Sequence, residues 1–218
     1  NAQETQKLDL KQALEMGLKN NQSIQASELE VKMQTQLQKT AFELPKTELS
    51  GTFGQINSQA QDKNFGISQS FNPFQISAKR SLLKEYSNAS ATKLGVAKQE
   101  ITYSIRQSWN TLLFYEKQNA VLEKQNAVMQ KFVKSANLKF QTGETNALEK
   151  TIALAKQQEL EQKIKQNKTQ IAIEKSKLKA ILDLKTEFIA TDTSFVPYPA
   201  MAKVDSSMVK QNPIVQLA

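Results

Sequence analysis

The chain has neither cysteine nor histidine. Thiolate and imidazole are the usual ligands of zinc, copper and iron–sulfur centres, so no metal or other cofactor site is expected. Nucleophilic triads and histidine-based acid–base catalysis lose their parts as well. Paired carboxylates are the remaining catalytic option, but Glu28 with Glu30 and Glu159 with Glu161 stand two positions apart, on different faces of a helix. No catalytic residue is therefore assigned, and the chain is read as a non-enzyme. The missing cysteines fit a reducing cytosol or a bacterial envelope protein and do not separate them. Arginine is nearly missing too: Arg80 and Arg106 are the two in a chain with 29 Lys+Arg, 21 Asp+Glu and a formal charge of +8. Nucleic-acid recognition leans on the forked guanidinium, and the lysines here are dispersed beside glutamates at helical spacing, as Glu159 is with Lys163. A nucleic-acid partner is set aside in favour of solvated helix faces. No apolar run reaches the length of roughly 18 residues that a membrane-crossing helix needs.

What the 218 residues do contain is long helical periodicity, with 6 Gly and 5 Pro in all. Between Gln75 and Gln141 there is no proline and a lone glycine, Gly95. Leu94, Ala97, Ile101, Ile105, Leu112, Tyr115, Leu122, Met129, Val133, Ala136 and Phe140 recur there at steps built from three and four. The spacing predicts one helix over 75–141, roughly 65 residues and about 100 Å long at 1.5 Å per residue. Leu160, Ile164, Ile171, Leu178 and Ile181 carry the same period through a second helix over 145–184. Between them Phe140, Gln141, Thr142, Gly143, Glu144, Thr145 and Asn146 form the tip of a helical hairpin.

Ahead of this hairpin, Asp9 with Gln12 three residues on is an N-cap signature, and Leu10, Ala13, Leu14 and Leu18 give an apolar face. A helical segment is expected over 9–44, with a joint near Asn21, a second apolar face of Ala26, Leu29, Met33, Leu37, Ala41 and Leu44, and a stop at Pro45. The period then changes to two. Strands are expected at 47–57 and 64–71, joined by a polar loop over 58–63, with Leu49 and Phe53 on one face of the first and Phe65, Ile67 and Phe71 on one face of the second. An isolated strand pair is marginal in water, so it needs a larger sheet. Alternation of apolar and small polar residues is the weak signature of a membrane barrel strand, and a soluble hairpin packed on a helix is an equal reading. Asn72-Pro73 starts the long helix, proline being tolerated in the first turn.

Residues 185–203 are expected to be irregular. Residues 204–216 echo 8–25, with Asn212 on Asn21 and Val215 on Ile24, so 204–218 reads as the opening of a truncated second repeat. Asn1-Ala2 reads as the remnant of a cleaved tag, leaving 3–203 as a single structural repeat. The fold class is mainly α: a long antiparallel, coiled-coil-like helical hairpin with one β-hairpin.

Three stretches carry a family resemblance. Leu8 to Asn21, Leu44-Pro45 before the strands, and Phe140-Gln141-Thr142-Gly143 followed by a helix ending in Ala180-Ile181-Leu182-Asp183-Leu184 resemble, in that order and separation, TolC-type outer membrane factors. The resemblance implies a homotrimer of two-repeat protomers, forming an outer-membrane β-barrel in contact with lipid and continued by a periplasmic α-barrel. Gly143-Glu144-Thr145-Asn146 and Phe42-Glu43-Leu44-Pro45-Lys46 are similar to the branch attached to heavy-metal efflux pumps. It further implies a periplasmic membrane-fusion adaptor docked on residues 140–146, an inner-membrane RND pump as energy source, and Glu149 as the acid lining the narrow end of the duct. The competing expectation is a periplasmic coiled-coil adaptor or scaffold that conducts nothing.

Overall fold

The structure, a computed structural model, describes residues 6–42, 46–54, 62–69, 73–192 and 212–216. The elements in chain order are β1 (Gln6–Leu8), α1 (Leu10–Asn20), α2 (Gln22–Lys39), a 3-10 turn (Thr40–Phe42), β2 (Glu48–Gly54), β3 (Asp62–Ser68), α3 (Pro73–Gln141), α4 (Ala147–Leu182), β4 (Phe188–Ala190) and α5 (Pro213–Gln216). They divide into two compact units, Asn1–Gln25 with Ala97–Ser206, and Ala26–Val96 with Ser207–Ala218.

The first unit holds the antiparallel hairpin of α3 and α4. Along α4 the least exposed residues are Ala153, Gln157, Leu160, Ile164, Asn167, Ile171, Glu174 and Leu178, alternating steps of four and three. That spacing is the 3.5-residue repeat of a left-handed coiled coil. On α3 the predicted stripe from Ile101 to Ala136 faces inward to match. Phe140, at its end, is instead 38% exposed beneath the Lys150 ammonium, whose nitrogen lies 4.9 Å from the ring centre. Register is pinned across the pair by Asn167 Nδ2 donating to the Tyr115 carbonyl at 2.8 Å, and by the ion pairs Lys168–Glu123 at 2.8 Å and Lys175–Glu116 at 3.4 Å.

At the far end of this hairpin Leu8, Leu10, Ala13, Ile105, Trp109, Leu112, Leu113, Leu178, Leu182 and Phe188 form the core. The expected Asp9 cap is present as a full capping box: Asp9 Oδ1 accepts from Gln12 N at 2.7 Å, and Gln12 Oε1 accepts from Asp9 N at 3.1 Å. Gly17, not Leu18, takes the inward position of α1, because a methyl group there would lie 2.3 Å from Ile105 Cδ1 and 3.2 Å from Leu182 Cδ2. Leu18 is left 36% exposed.

The expected joint is at Asn21, and it does two jobs. Its Oδ1 accepts from Ser23 N at 3.0 Å to start α2, while its Nδ2 donates to the Ile181 carbonyl at 3.0 Å. The ends of α1 and α4 therefore meet beside α3. Residues 185–203, expected to be irregular, contain β4, which pairs in parallel with β1 in the register Gln6 to Phe188 and Leu8 to Ala190. Three-residue strands are too short to show a period, and the long sequence separation hides their pairing. Asp192 locks this corner: its Oδ2 accepts from Leu10 N and from Trp109 Nε1, both at 2.9 Å, and Trp109 stacks on Phe188 at 6.0 Å.

The second unit pairs most of α2 with the first part of α3 and carries the strand hairpin. The helical segment expected over 9–44 has its expected joint at Asn21, and α2 ends at Lys39, followed by the 3-10 turn. Its apolar face is also reassigned. Leu29, Met33 and Leu37 are 64%, 52% and 39% exposed, whereas Val31, Gln34 and Gln38 turn inward. The Gln38 amide donates to the Leu83 carbonyl at 3.5 Å and Lys79 Nζ to the Thr40 carbonyl at 3.2 Å, so this seam is polar.

β2 and β3 pair antiparallel with Leu49 opposite Ile67, Gly51 opposite Phe65 and Phe53 opposite Lys63. The second strand begins at Asp62, within the expected loop, because Gly54 pairs with Asp62 and Phe53 with Lys63; it ends at Ser68. α3 starts with Pro73 at its first position, where the missing N–H is not needed, and α4 runs 147–182 rather than 145–184. The predicted features at Asn1-Ala2, Phe71, the Leu44-Pro45 stop, residues 55–57 and most of 204–218 lie outside the described residues.

Candidate functional site

Two surfaces carry the residues singled out by sequence. The first is the hairpin tip. Gly143 has φ 75°, the left-handed region, and ends α3 in a Schellman arrangement. Gly143 N donates to the Phe140 carbonyl at 3.2 Å and Glu144 N to the Lys139 carbonyl at 2.8 Å. Asn146 then opens α4 as its N-cap, with its Oδ1 accepting from Glu149 N at 3.0 Å. Asn146 thus has a structural duty that sequence reading gave to docking alone.

The tip's side chains also bind one another. Thr142 Oγ1 donates to Glu144 Oε1 at 2.9 Å, and Thr145 Oγ1 donates to Glu149 Oε2. Glu149 sits in the first turn of α4, where a carboxylate is favoured by the helix dipole. Gln141, Thr142, Gly143, Glu144, Asn146, Leu148 and Glu149 are all exposed. Apolar Leu138 and Ile152, exposed by 54% and 53%, flank them. The tip is a turn with capped ends and an outward array of amide, hydroxyl and carboxylate groups.

The second surface is the β2/β3 hairpin. The alternation of the strands puts Leu49, Phe53, Phe65 and Ile67 on one face, exposed by 79%, 64%, 73% and 76%. Phe53 and Phe65 meet edge to face at 5.5 Å. A strand pair that leaves its apolar face uncovered and its outer edges unpaired is a liability in water. Phe71, predicted for this face, lies outside the described residues.

A third feature was not read from the sequence. Midway along the α3/α4 hairpin, Val128, Met129, Phe132 and Leu160 floor a groove of about 790 Å³ flanked by Lys124 and Lys163. Periodicity assigned each helix one inward stripe and gave no sign of a second. At its rim Glu159 accepts from Lys163 and Lys156 at 2.8 and 2.9 Å, and these hydrogen bonds and charges hold its pKa at about 2. Among the described residues no cluster of three or more histidine, cysteine or carboxylate side chains could hold a metal ion, and no helix is long and apolar enough to cross a membrane.

No family model and no curated protein sequence matches the chain. Solved structures do. The outer-membrane channel OprN superimposes with a TM-score of 0.73 at 13% identity, over 94% of this chain and 50% of its own. The Campylobacter jejuni CmeC outer membrane channel gives 0.71 at 13% identity, over 94% and 48%. CusC, crystallised in a study of folding and transmembrane channel formation, gives 0.66 at 16% identity, over 93% and 48%. The chain spans about half the length of the solved structures it matches. It has the fold of half of a TolC-type outer membrane channel.

Proposed function

We propose that the chain is the first of two repeats of a passive export duct in the outer membrane and periplasm of a bacterial envelope. The observation that carries this reading is the uncovered apolar face of Leu49, Phe53, Phe65 and Ile67 on a hairpin attached to long paired helices. Lipid and neighbouring strands of a closed barrel would cover that face and satisfy its edges. Support for a second repeat comes from Asn212, whose Oδ1 accepts from Ile214 N at 3.0 Å to start α5, as Asn21 Oδ1 accepts from Ser23 N at 3.0 Å to start α2. In a homotrimer of such protomers the exposed stripe of α2 and the groove at Phe132 would receive neighbouring helices.

On this reading the tip from Phe140 to Asn146 docks a periplasmic membrane-fusion adaptor, and an RND-type inner-membrane pump supplies the energy. The likeness of residues 42–46 and 143–146 to the heavy-metal branch makes metal cations the cargo to test first. Glu144→Ala in the full-length protein should abolish export and metal tolerance with the protein at normal abundance in the outer membrane; full tolerance contradicts a docking role.

Glu149 contributes a ring of carboxylates at the narrow end of the trimer, where like charges in a constriction draw in cations. In single-channel recordings of the full-length protein Glu149→Lys should lower cation selectivity and Glu161→Lys should have little effect. Equal effects return Glu149 to an ordinary solvated acid.

A further inference from the structure

We propose that a cavity between α2 and α3 in the second unit binds the phosphate of an anionic phospholipid headgroup. The cavity is about 880 Å³ and is lined by Gln38 and Lys39 from α2 and by Ser77, Arg80, Ser81 and Lys84 from α3. Its size is in the range of small-molecule sites. Ser77 with Ser81 and Arg80 with Lys84 each stand four apart, so two adjacent rows on one helix face offer two hydroxyls and two cations to the same space.

The charges there are unspent. Lys39, Arg80 and Lys84 make no ion pair among the described residues, whereas six of the eight lysines of α4 (Lys156, Lys163, Lys168, Lys175, Lys177 and Lys179) are paired with carboxylates. Within residues 77–88 the single acid is Glu85, and it accepts from Asn88 Nδ2 at 3.5 Å. Arg80 is also one of only two arginines in the chain. A forked guanidinium flanked by ammonium and hydroxyl donors matches the two charged, non-bridging oxygens of a lipid phosphodiester as well as the oxygens of free phosphate.

Phosphate could come from a lipid headgroup or from solution, and the chain's connectivity favours the lipid. Lys39 precedes β2 by nine residues and Ser77 follows β3 by nine. Nine residues reach at most about 30 Å, so the cavity lies within about 30 Å of the hairpin, on its helical side. Basic residues near an anionic leaflet each strengthen adsorption by about fivefold. The lipid assignment rests on the reading that the β2/β3 hairpin enters the outer membrane.

Flotation of the chain with vesicles of pure phosphatidylcholine, and of phosphatidylcholine containing phosphatidylglycerol, tests both levels. The wild type should prefer the anionic vesicles by at least about tenfold. K39A/R80A/K84A should lose that preference and keep its adsorption to phosphatidylcholine, while K131A/K134A/K139A, an equal charge change elsewhere on α3, should behave as wild type. Equal losses in the two triple variants, or equal flotation of the wild type with both vesicles, overturn the proposal and leave the membrane reading intact. Calorimetric titration with inorganic phosphate provides the other arm. Phosphate binding that K39A/R80A/K84A abolishes, in a chain that floats with neither vesicle, would uphold the cavity as a phosphate site with a soluble source and sink the membrane reading.

Discussion

Gly17 is where three helices approach through a missing methyl group. Alanine would gain about 1 kcal/mol of helix propensity, but its Cβ would sit 2.3 Å from Ile105 Cδ1 in a core with Ile105 and Leu182 fully buried. Overpacking costs about 1–3 kcal/mol, so Gly17→Ala should be destabilising by about 1 kcal/mol net. Ile105→Val removes the offending methyl. In urea titrations it should therefore cost less in the Gly17→Ala background than in the wild type, and strict additivity would contradict the contact. The tip separates in the same way into residues that hold the turn and residues free for the proposed docking. Asn146→Ala should cost about 1 kcal/mol as the loss of an N-cap, whereas Glu144→Ala should stay within about 0.5 kcal/mol. Thermal unfolding of the two variants distinguishes them. The sequence made Gly143 legible as a turn because few residues adopt its positive φ. It did not disclose that Asn146 and Glu149 are already bound within the turn, since those bonds appear only once both helices are placed.

At the scale of elements, how much could be read depended on how far a period was sustained. The long α3 and α4 stripes hold for many heptads and face inward as expected from Ile101 to Ala136 and from Leu160 to Ile181. α2 misled because its most apolar stripe, Leu29, Met33 and Leu37, is not the one against α3; an apolar stripe in sequence does not say what it meets. β1 and β4 were invisible, and so was the role of Asp192, the shared acceptor for Leu10 N and Trp109 Nε1. Charge pairing along α4 was readable at Glu159 and Lys163, and the structure adds Lys156. The two lysines depress the folded-state pKa of Glu159 from 4.5 to about 2. With a depressed folded pKa, the pair's contribution is present above the usual carboxylate value and is lost as pH falls from about 4.5 towards 2. A carboxyl NMR titration should find Glu159 below the ordinary range at low salt, and K156A/K163A should return it there. An unchanged midpoint in that variant would refute the pairing.

For the whole molecule, the account turns on what covers the strand hairpin. The chain matches about half the length of the outer-membrane channels whose fold it shares; on the proposed reading the remaining strands and the neighbouring helices come from the assembled full-length protein, and the lipid from the outer membrane. A soluble scaffold would bury Leu49, Phe53, Phe65 and Ile67 against protein or leave them wet. These 218 residues hold no cysteine, so, with any cysteine elsewhere in the full-length protein replaced, single cysteines introduced along β2 and β3 can be spin-labelled without background. The full-length protein in lipid nanodiscs, labelled in turn at residues 48–53 and 63–68, would be scanned for collision with oxygen, which concentrates in lipid, and with a water-soluble nickel complex. The account predicts a period of two, with oxygen maxima at 49, 51, 53, 63, 65 and 67 and nickel maxima at the positions between. Nickel access at every position, or a scan without alternation, would contradict it.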